Sequence, residues 1–193
     1  MCLQRLRFKD LFGKRVVITG EVGVGKTKLL ASLIDEAASE PNLRVVVLDL
    51  APEVQIGSEI IGASVKTYSR KLHHVIYLRP ATVFAPRLQG RNREEVLDLA
   101  AKNASSIESL LITLASNPPD TLFIDDLTIY LQAGKIEPFI KLISTIRTFI
   151  ATAYKGKKLL DDKGSGVSKV EKCRLESLLN DPKMNILEIP LQP

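Results

Sequence analysis

A glycine-rich turn between a β-branched run and a helical stretch constrains this sequence more than any other feature. The segment VVITGEVGVGKTKLL, residues 16–30, matches the pattern G-x-x-x-x-G-K-[ST] at every fixed position, namely Gly20, Gly25, Lys26 and Thr27. The residues before the turn favour a buried strand, and the leucines after it recur at helical spacing. The pattern therefore predicts a strand, a loop and a helix in that order.

This loop has the chemistry of a phosphate cradle. Glycines lack Cβ atoms, so successive backbone N–H groups can curl around an anion, and the positive end of the following helix adds to their field. We expect the Lys26 ammonium to reach the β- and γ-phosphates and the Thr27 hydroxyl to help hold Mg²⁺. The complete predicted nucleotide-binding segment is Gly20, Glu21, Val22, Gly23, Val24, Gly25, Lys26, Thr27 and Lys28.

Apolar runs alternate with amphipathic stretches along the rest of the chain. Strands are predicted at residues 15–20, 43–50, 74–79, 121–126, 148–154 and 185–189. Helices are predicted at residues 26–38, from about 92 to the prolines at 118 and 119, at 136–147 and at 170–179. Asn92 with Glu95, and Ser168 with Glu171, have the spacing of helix-capping boxes. This alternation predicts one domain over residues 1–193, with a three-layer α/β/α fold and a mainly parallel central sheet.

Carboxylates follow two of the predicted strands. The run TLFIDD places Asp125 at the end of a buried strand, where it can hold Mg²⁺ opposite the glycine-rich loop. Asp126 either polarises an attacking water molecule or points into a turn. The run VVVLDLAPE ends in Asp49, with Glu53 four residues later. If this strand lies beside the loop-bearing strand, Glu53 is the first choice for orienting water, Asp126 the alternative, and Asp49 a supporting partner.

The quoted motifs resemble those of a known class. GEVGVGKT and FIDD look like the Walker A and Walker B elements of P-loop NTPases, with a strand inserted between them as in the additional-strand division. The order of VVVLDLAPE, a long helix, PDTLFIDDLTIYL and TFIATAYKGKKLLDDKGS resembles, more narrowly, the ATPase core of the RecA/RadA/KaiC group. The turn LDLAPE also looks like strand ends in MinD-type and GPN-type NTPases and in RNA-processing polynucleotide kinases.

The resemblance to the RecA/RadA/KaiC group implies a function and several residue roles. It implies a RecA-like fold that binds ATP and Mg²⁺, with Glu53 activating water and Thr152 serving as a polar sensor of the γ-phosphate. It also implies that the loops at residues 131–137 and 155–168 touch nucleic acid. No N-K-x-D element is found, so ATP is favoured over GTP. An ATPase is the favoured hypothesis, and a kinase that passes the γ-phosphate to an acceptor and an ATP-responsive binding module are the alternatives.

Three irregular segments interrupt the regular alternation, at residues 52–71, 85–93 and 155–168. Each follows a predicted strand, and ligands of doubly wound sheets bind beyond the carboxyl ends of strands, so specificity is expected there. Arginines in the second segment could reach the γ-phosphate of a neighbouring subunit, although a solvated loop is favoured. Lysines in the third suit a phosphate lid or a nucleic-acid contact. The residues concerned are Arg87, Arg91, Arg93, Lys155, Lys157, Lys158 and Lys163.

Composition limits the remaining choices. A net charge of +5 suits nucleotide phosphates as well as nucleic acid, so it leaves the partner open. The cysteines, Cys2 and Cys173, form no metal or disulfide pattern, and Cys173 is expected to pack against the core. No apolar run approaches the ~18 residues of a membrane span, and no signal peptide is recognised, so a cytoplasmic protein is predicted. A homo-oligomer and a monomer both fit. His73 and His74 are assigned no chemistry.

Overall fold

The computed structural model describes residues 6–56 and 59–192. Its strands are β1 (Arg15–Gly20), β2 (Val45–Asp49), β3 (Val54–Ile56), β4 (Glu59–Ile61), β5 (Ile76–Leu78), β6 (Thr121–Asp125), β7 (Thr148–Tyr154) and β8 (Ile186–Leu191). Its α-helices are α1 (Phe8–Leu11), α2 (Lys26–Ala37), α3 (Pro86–Gln89), α4 (Arg93–Ser116), α5 (Thr128–Leu131), α6 (Ile136–Thr145) and α7 (Val167–Leu179). Short 3₁₀ turns lie at Val65–Thr67 and Leu72–His74.

Six strands form one sheet in the order β5-β2-β6-β7-β1-β8, and every neighbouring pair is parallel. The predicted α/β fold with a parallel central sheet is therefore confirmed. The resemblance implies an additional strand between the strand that leads into the glycine-rich loop and the strand that ends in FIDD. That additional strand is β7, which pairs with both β1 and β6. β2 lies beyond β6 and does not neighbour β1, so the strand adjacency behind the Asp49 and Glu53 hypothesis is absent, and a role for Glu53 would depend on its loop instead.

Helices cover both faces of this sheet. Alternate residues of one strand enter different cores, because side chains in a strand point to opposite faces. Val17 of β1 packs in a cluster with residues of α4, α6 and α7, whereas Val16 and Ile18 pack in a second cluster with α1 and α2. β1, β2, β6 and β7 are almost entirely buried, as expected for parallel strands covered on both sides. This arrangement gives the predicted three layers.

Two predictions about α7 and its neighbourhood are wrong. The helix begins at Val167, three residues earlier than predicted, and Gly166 occupies the N-cap position with φ of 78°. Ser168 therefore lies in the first turn and forms no capping box with Glu171, whose side chain turns inward instead. Cys173 is exposed, because the buried face of α7 is formed by Val167, Glu171, Leu175 and Leu178.

The start of α4 matches its prediction in part. Asn92 caps the helix as expected, since its side-chain oxygen accepts a hydrogen bond from the backbone N–H of Glu95 at 2.9 Å. The Glu95 carboxylate, however, accepts from the backbone N–H of Arg91 at 3.0 Å instead of from Asn92. The same carboxylate forms an ion pair with the Arg91 guanidinium. The Glu95 side chain therefore contacts Arg91, the residue before Asn92, and not the Asn92 backbone that a capping box would use.

Candidate nucleotide-binding site

The glycine-rich loop joins β1 to α2 with two residues in the left-handed region. Gly23 has φ of 82°, and Gly25, the N-cap residue of α2, has φ of 92°. Side chains with a Cβ rarely adopt such values, so the loop geometry requires glycine at these positions. The backbone then enters α2 directly at Lys26, which places the helix N-terminus and its positive dipole end at the loop.

The Lys26 side chain lies over the same loop. Its Nζ donates hydrogen bonds to the backbone oxygen of Gly20 at 2.9 Å and to that of Glu21 at 2.7 Å. Burial lowers the pKa of Lys26, while the charges of Asp126 and Asp125 oppose that shift. A partly desolvated cation at a glycine-rich loop and a helix N-terminus suits the binding of a phosphate chain.

Thr27 and Asp125 meet at the edge of the loop. The Thr27 hydroxyl donates to Oδ1 of Asp125 at 3.2 Å, and the Thr152 hydroxyl donates to the same oxygen at 2.6 Å. Oδ2 of Asp125 is buried and has no hydrogen-bond partner among the described residues. Burial raises the pKa of Asp125 to about 7, although the hydrogen bond from Thr152 opposes the shift.

An unpaired carboxylate oxygen beside a hydroxyl fits a hard cation such as Mg²⁺. Mg²⁺ in phosphate sites is commonly held by one or two protein oxygens, with phosphate and water oxygens completing its shell. Within residues 6–56 and 59–192, no cluster of three or more His, Cys, Asp or Glu side chains could hold a metal by itself. Thr27 and Asp125 therefore have the donor set of a metal site that is shared with a bound phosphate.

Asp126 lies next to this pair in an unusual backbone conformation. Its φ is 54°, in the left-handed region, and its backbone N–H donates to the Thr152 hydroxyl at 2.8 Å. Its carboxylate accepts a short hydrogen bond from Thr128. Burial raises the pKa of Asp126, while Thr128 and the charge of Lys26 lower it. Thr152 thus orients both acids of the FIDD segment.

Asp49 is fully buried but faces a network of its own. Its two carboxylate oxygens accept hydrogen bonds from backbone and side-chain donors that lie after β2, after β4, within β5 and directly after β5. The donors are the Ala51 N–H at 3.2 Å, the Ser64 hydroxyl at 2.5 Å, the Val65 N–H at 3.1 Å, the Tyr77 hydroxyl at 2.9 Å and the Arg79 guanidinium at 2.9 Å. Asp49 therefore anchors these segments at the sheet edge.

Glu53 stands further from the loop than the sequence suggests. Its side chain is 48% exposed, and its carboxylate lies 3.6 Å from the guanidinium of Arg79. The residues on either side of it, Pro52 and Val54, line the cavity described below, but Glu53 does not. The loop that carries Glu53 thus reaches the site, while its carboxylate is held towards Arg79.

Glu21 connects the glycine-rich loop to the segment after β7. Its carboxylate accepts hydrogen bonds from the backbone N–H groups of Val22 at 2.8 Å, Lys157 at 2.7 Å and Lys158 at 3.2 Å. Burial tends to raise the pKa of Glu21, but these backbone donors lower it below its ordinary value. A Cβ on Gly156 would approach this carboxylate to 2.4 Å, so the close contact depends on glycine.

A cavity of about 640 Å³ lies above the loop. Its wall includes most of the predicted nucleotide-binding residues, and parts of all three irregular segments reach it. The predicted residues in the wall are Val22, Gly23, Gly25, Lys26, Thr27, Lys28, Asp125, Asp126 and Thr152. Gly20, Glu21, Val24 and Glu53 are predicted residues outside this wall. Pro52, Ala63, Pro86 and Leu159 show that the irregular segments converge on the cavity as expected.

The interpretation of Arg87 as part of a solvated loop is wrong. Arg87 lies on α3, is only 8% exposed, and pairs with Glu171 of α7 at 3.1 Å. Gln132, just after α5, donates to the same carboxylate at 2.8 Å. Arg87 and Gln132 line the cavity, and sequence reasoning missed Gln132 and Glu171 as site residues. One sequence signal could have revealed the short helix α3. Pro86 directly precedes Arg87, and proline is well suited to the first turn of a helix.

The fold and the site define a P-loop NTPase. The sequence model of the family described as "Helicase HerA, central domain" matches residues 4–121, more than half of the chain, and the chain belongs to that family. The narrower resemblance to the RecA/RadA/KaiC group stays a prediction.

Two solved structures are similar to this chain over most of its length. The VirB11 ATPase of the Brucella suis type IV secretion system, in complex with sulphate, matches with 17% identity, a TM-score of 0.41 and 86% coverage of this chain. This chain spans 41% of that VirB11 chain. The flagellar accessory protein FlaH from Methanocaldococcus jannaschii matches with 14% identity, a TM-score of 0.42, and coverage of 82% of this chain and 68% of FlaH. No curated protein sequence matches the chain significantly.

Proposed function

We propose that this chain binds Mg²⁺ and ATP and hydrolyses the β–γ phosphoanhydride bond. The observation that carries the proposal is the convergence of Thr27 and Asp125 at 3.2 Å beside Lys26, with an unpaired buried oxygen on Asp125. A cation held there would neutralise charge on the phosphate oxygens during the reaction. The three side chains come from the loop of β1 and the end of β6, two strands whose carboxyl ends lie at the same edge of the sheet.

Each residue has a role in this proposal. The loop from Gly20 to Thr27 holds the triphosphate through backbone N–H groups. Lys26 exchanges its two carbonyl partners for phosphate oxygens and stabilises the negative charge that develops on them. Thr27 and Asp125 position Mg²⁺, and Thr152 keeps Asp125 in place.

Asp126 is the acid that we propose for orienting the attacking water. It lines the cavity and its charge acts on Lys26, whereas Glu53 is half-exposed and lies against Arg79. Glu53 remains the second candidate for this role, because its loop neighbours Pro52 and Val54 reach the cavity wall. Closure of that loop would bring the carboxylate closer, as in other lid movements.

A kinase is the second candidate function. The cavity extends beyond the phosphate loop along residues 85–88 and reaches Tyr154 and Leu159, so an acceptor could share it with ATP. A kinase transfers the γ-phosphate to a hydroxyl and releases little free phosphate without acceptor. The third hypothesis, an ATP-responsive binding module, predicts tight nucleotide binding with negligible turnover.

We propose that the partner is nucleic acid, whereas a homo-oligomer stays a prediction. The matching family is described as a helicase, and exposed Lys155, Lys157 and Lys158 follow β7 close to the phosphate loop. Among the described residues, no helix has both the length and the apolar character needed to cross a membrane. A cytoplasmic location stays a prediction.

Steady-state phosphate release tests the proposal. The assay uses Mg²⁺ and ATP, with and without single-stranded DNA or RNA. Lys26→Ala should abolish release, since preorganised charge contacts contribute several kcal/mol to transition-state binding. Lys172→Ala is the matched control, because Lys172 is exposed on α7, far from the loop in sequence. Unchanged release in Lys26→Ala contradicts the mechanism, and stimulation by nucleic acid supports that partner.

A further inference from the structure

Three helices contribute one buried polar cluster to the cavity wall. Arg87 of α3, Gln132 after α5 and Glu171 of α7 are 8%, 5% and 4% exposed. The Arg87 guanidinium makes a two-pronged ion pair with Glu171, at 3.1 Å for each prong, and Gln132 donates to Glu171 at 2.8 Å. These helices follow β5, β6 and β7, so the cluster joins segments beyond three strands of the sheet.

The hydrogen-bonding capacity of the cluster is incompletely satisfied. Oε1 of Gln132 is buried and has no hydrogen-bond partner among the described residues, and both Gln132 and Arg87 line the cavity. The Arg87 guanidinium lies 5.3 Å from the centre of the Tyr154 ring, at the end of β7. Arg87 is therefore a further cation of the cavity wall, in addition to Lys26 and Lys28.

A buried ion pair is costly unless its geometry is good, and it rarely improves stability over apolar packing. A guanidinium, however, binds a phosphate through the same fork with which it binds a carboxylate. Burial raises the pKa of Glu171 to about 7 even beside Arg87. The carboxylate is thus poorly stabilised in its charged form, and it can accept a proton if the guanidinium moves to another anion.

We propose that Arg87 senses the γ-phosphate of ATP within its own subunit, exchanging its contact with Glu171 for a contact with the terminal phosphate. Gln132 and Glu171 then repack, and the change reaches α7 and the loop before it. The inference rests on the proposed nucleotide site but is independent of whether the chain hydrolyses ATP or transfers its phosphate. It differs from an arginine supplied by a neighbouring subunit, because Arg87 lines the cavity of its own chain.

Affinity for triphosphate and diphosphate distinguishes this role. Binding of a non-hydrolysable ATP analogue and of ADP, each with Mg²⁺, is measured by calorimetry for wild type, Arg87→Ala and Arg91→Ala. Arg91 is the matched control, since it is exposed and pairs with Glu95 in the same part of the chain. We expect Arg87→Ala to weaken the triphosphate complex about tenfold and the ADP complex less than about twofold, as for loss of one charged contact to the γ-phosphate. Arg91→Ala should change neither.

Arg87→Ala leaves a buried carboxylate without its partner, so a folded comparison is needed. The double variant Arg87→Ala with Glu171→Gln removes the pair together, and Glu171→Gln alone keeps the guanidinium while removing its competitor. We expect the double variant to lose the triphosphate preference and Glu171→Gln to retain it. Hydrogen exchange in Val167–Leu179 should differ between triphosphate and diphosphate complexes of the wild type, and the double variant should lose this difference.

The outcomes separate this inference from the proposed function. If the folded double variant keeps the wild-type ratio of affinities, Arg87 is a structural residue and the inference is wrong. If wild type binds triphosphate and diphosphate equally, no sensor exists. If wild type binds neither nucleotide, or if Lys26→Ala binds both as tightly as wild type, the proposed nucleotide site itself is wrong.

Discussion

The Thr152 hydroxyl donates a hydrogen bond to Asp125 at 2.6 Å, across the boundary between the neighbouring parallel strands β7 and β6. The same hydroxyl accepts the backbone N–H of Asp126 at 2.8 Å. One buried side chain therefore fixes two consecutive acids at the edge of the cavity. The Thr152 hydroxyl has a single proton, which it donates to Asp125. Thr152 can therefore influence a bound phosphate through the two acids, or donate to it directly only if the hydrogen bond to Asp125 breaks.

Replacing Thr152 tests this link. Thr152→Val keeps the shape of the side chain but removes the shorter of the two hydrogen bonds to Asp125 and leaves the Asp126 N–H without a partner. We therefore expect the unfolding free energy to fall by about 1 to 3 kcal/mol. The pKa of Asp125 should rise further, because the hydrogen bond from Thr152 lowers it. Urea denaturation measures the first effect, and the pH dependence of Mg²⁺-supported ATP binding measures the second. Thr152→Ser keeps the hydroxyl and should stay close to wild type, whereas wild-type stability in Thr152→Val contradicts the link.

Paired variants identify the acid that orients water. Asp126→Asn should bind ATP with at most a small change and reduce turnover by about 10²-fold or more, the usual contribution of a positioned base. Glu53→Gln should reduce turnover less, because Glu53 is half-exposed and held near Arg79. Single-turnover phosphate release and nucleotide affinity are measured for both. Full loss of turnover in Glu53→Gln with normal turnover in Asp126→Asn would reverse the assignment.

Glu171 makes stability depend on pH. Its pKa is raised from 4.5 to about 7 by burial, so the folded protein binds this proton more tightly than the unfolded chain does. The resulting stabilisation is complete below pH 4.5 and is lost as pH rises through about 7, by an amount on the order of 3 kcal/mol. Denaturant unfolding at pH values between 5 and 8, a span of about three units, measures how the unfolding free energy changes with pH. Glu171→Gln should flatten this dependence, and an equal slope in both proteins contradicts the assignment.

Glu21 should control the loop after β7. Glu21→Ala removes the acceptor for the backbone N–H groups of Lys157 and Lys158, so that loop should open more often. We expect faster trypsin cleavage after these lysines and weaker ATP binding. Glu40→Ala, an exposed change on the connection after α2, is the control. Cleavage at the wild-type rate in Glu21→Ala means that other contacts hold the loop closed.

Local patterns were sufficient to predict the elements around the glycine-rich loop. The strand, glycine turn and helix around Lys26 lie where the motif predicts, and β6 delivers Asp125 to the Thr27 hydroxyl. Parallel strands buried on both faces leave a continuous apolar run, so their existence is visible in a single sequence. Short elements such as α3 and α5 were missed, because helices of four residues have too little periodicity to detect.

Charged side chains were the least predictable part of the site. Glu171 has capping-box spacing with Ser168, yet its carboxylate pairs with Arg87, which lies 84 residues earlier in the chain. Glu53 has the expected position in its loop, but Arg79 draws its carboxylate aside. Such partners are chosen by the packing of distant elements, and no local spacing encodes them.

The phosphate loop, the buried strands and the acid at the end of β6 can be predicted from the sequence, because each depends on residues that are neighbours in the chain. Long-range packing sets the position of β7 between β1 and β6, the hydrogen-bond network around Asp49, and the approach of a cation and an amide to the cavity from separate helices. The two sets differ in their range along the chain. Dihedral preferences and periodicity act over a few residues, whereas burial and ion pairing act between any groups that packing brings together.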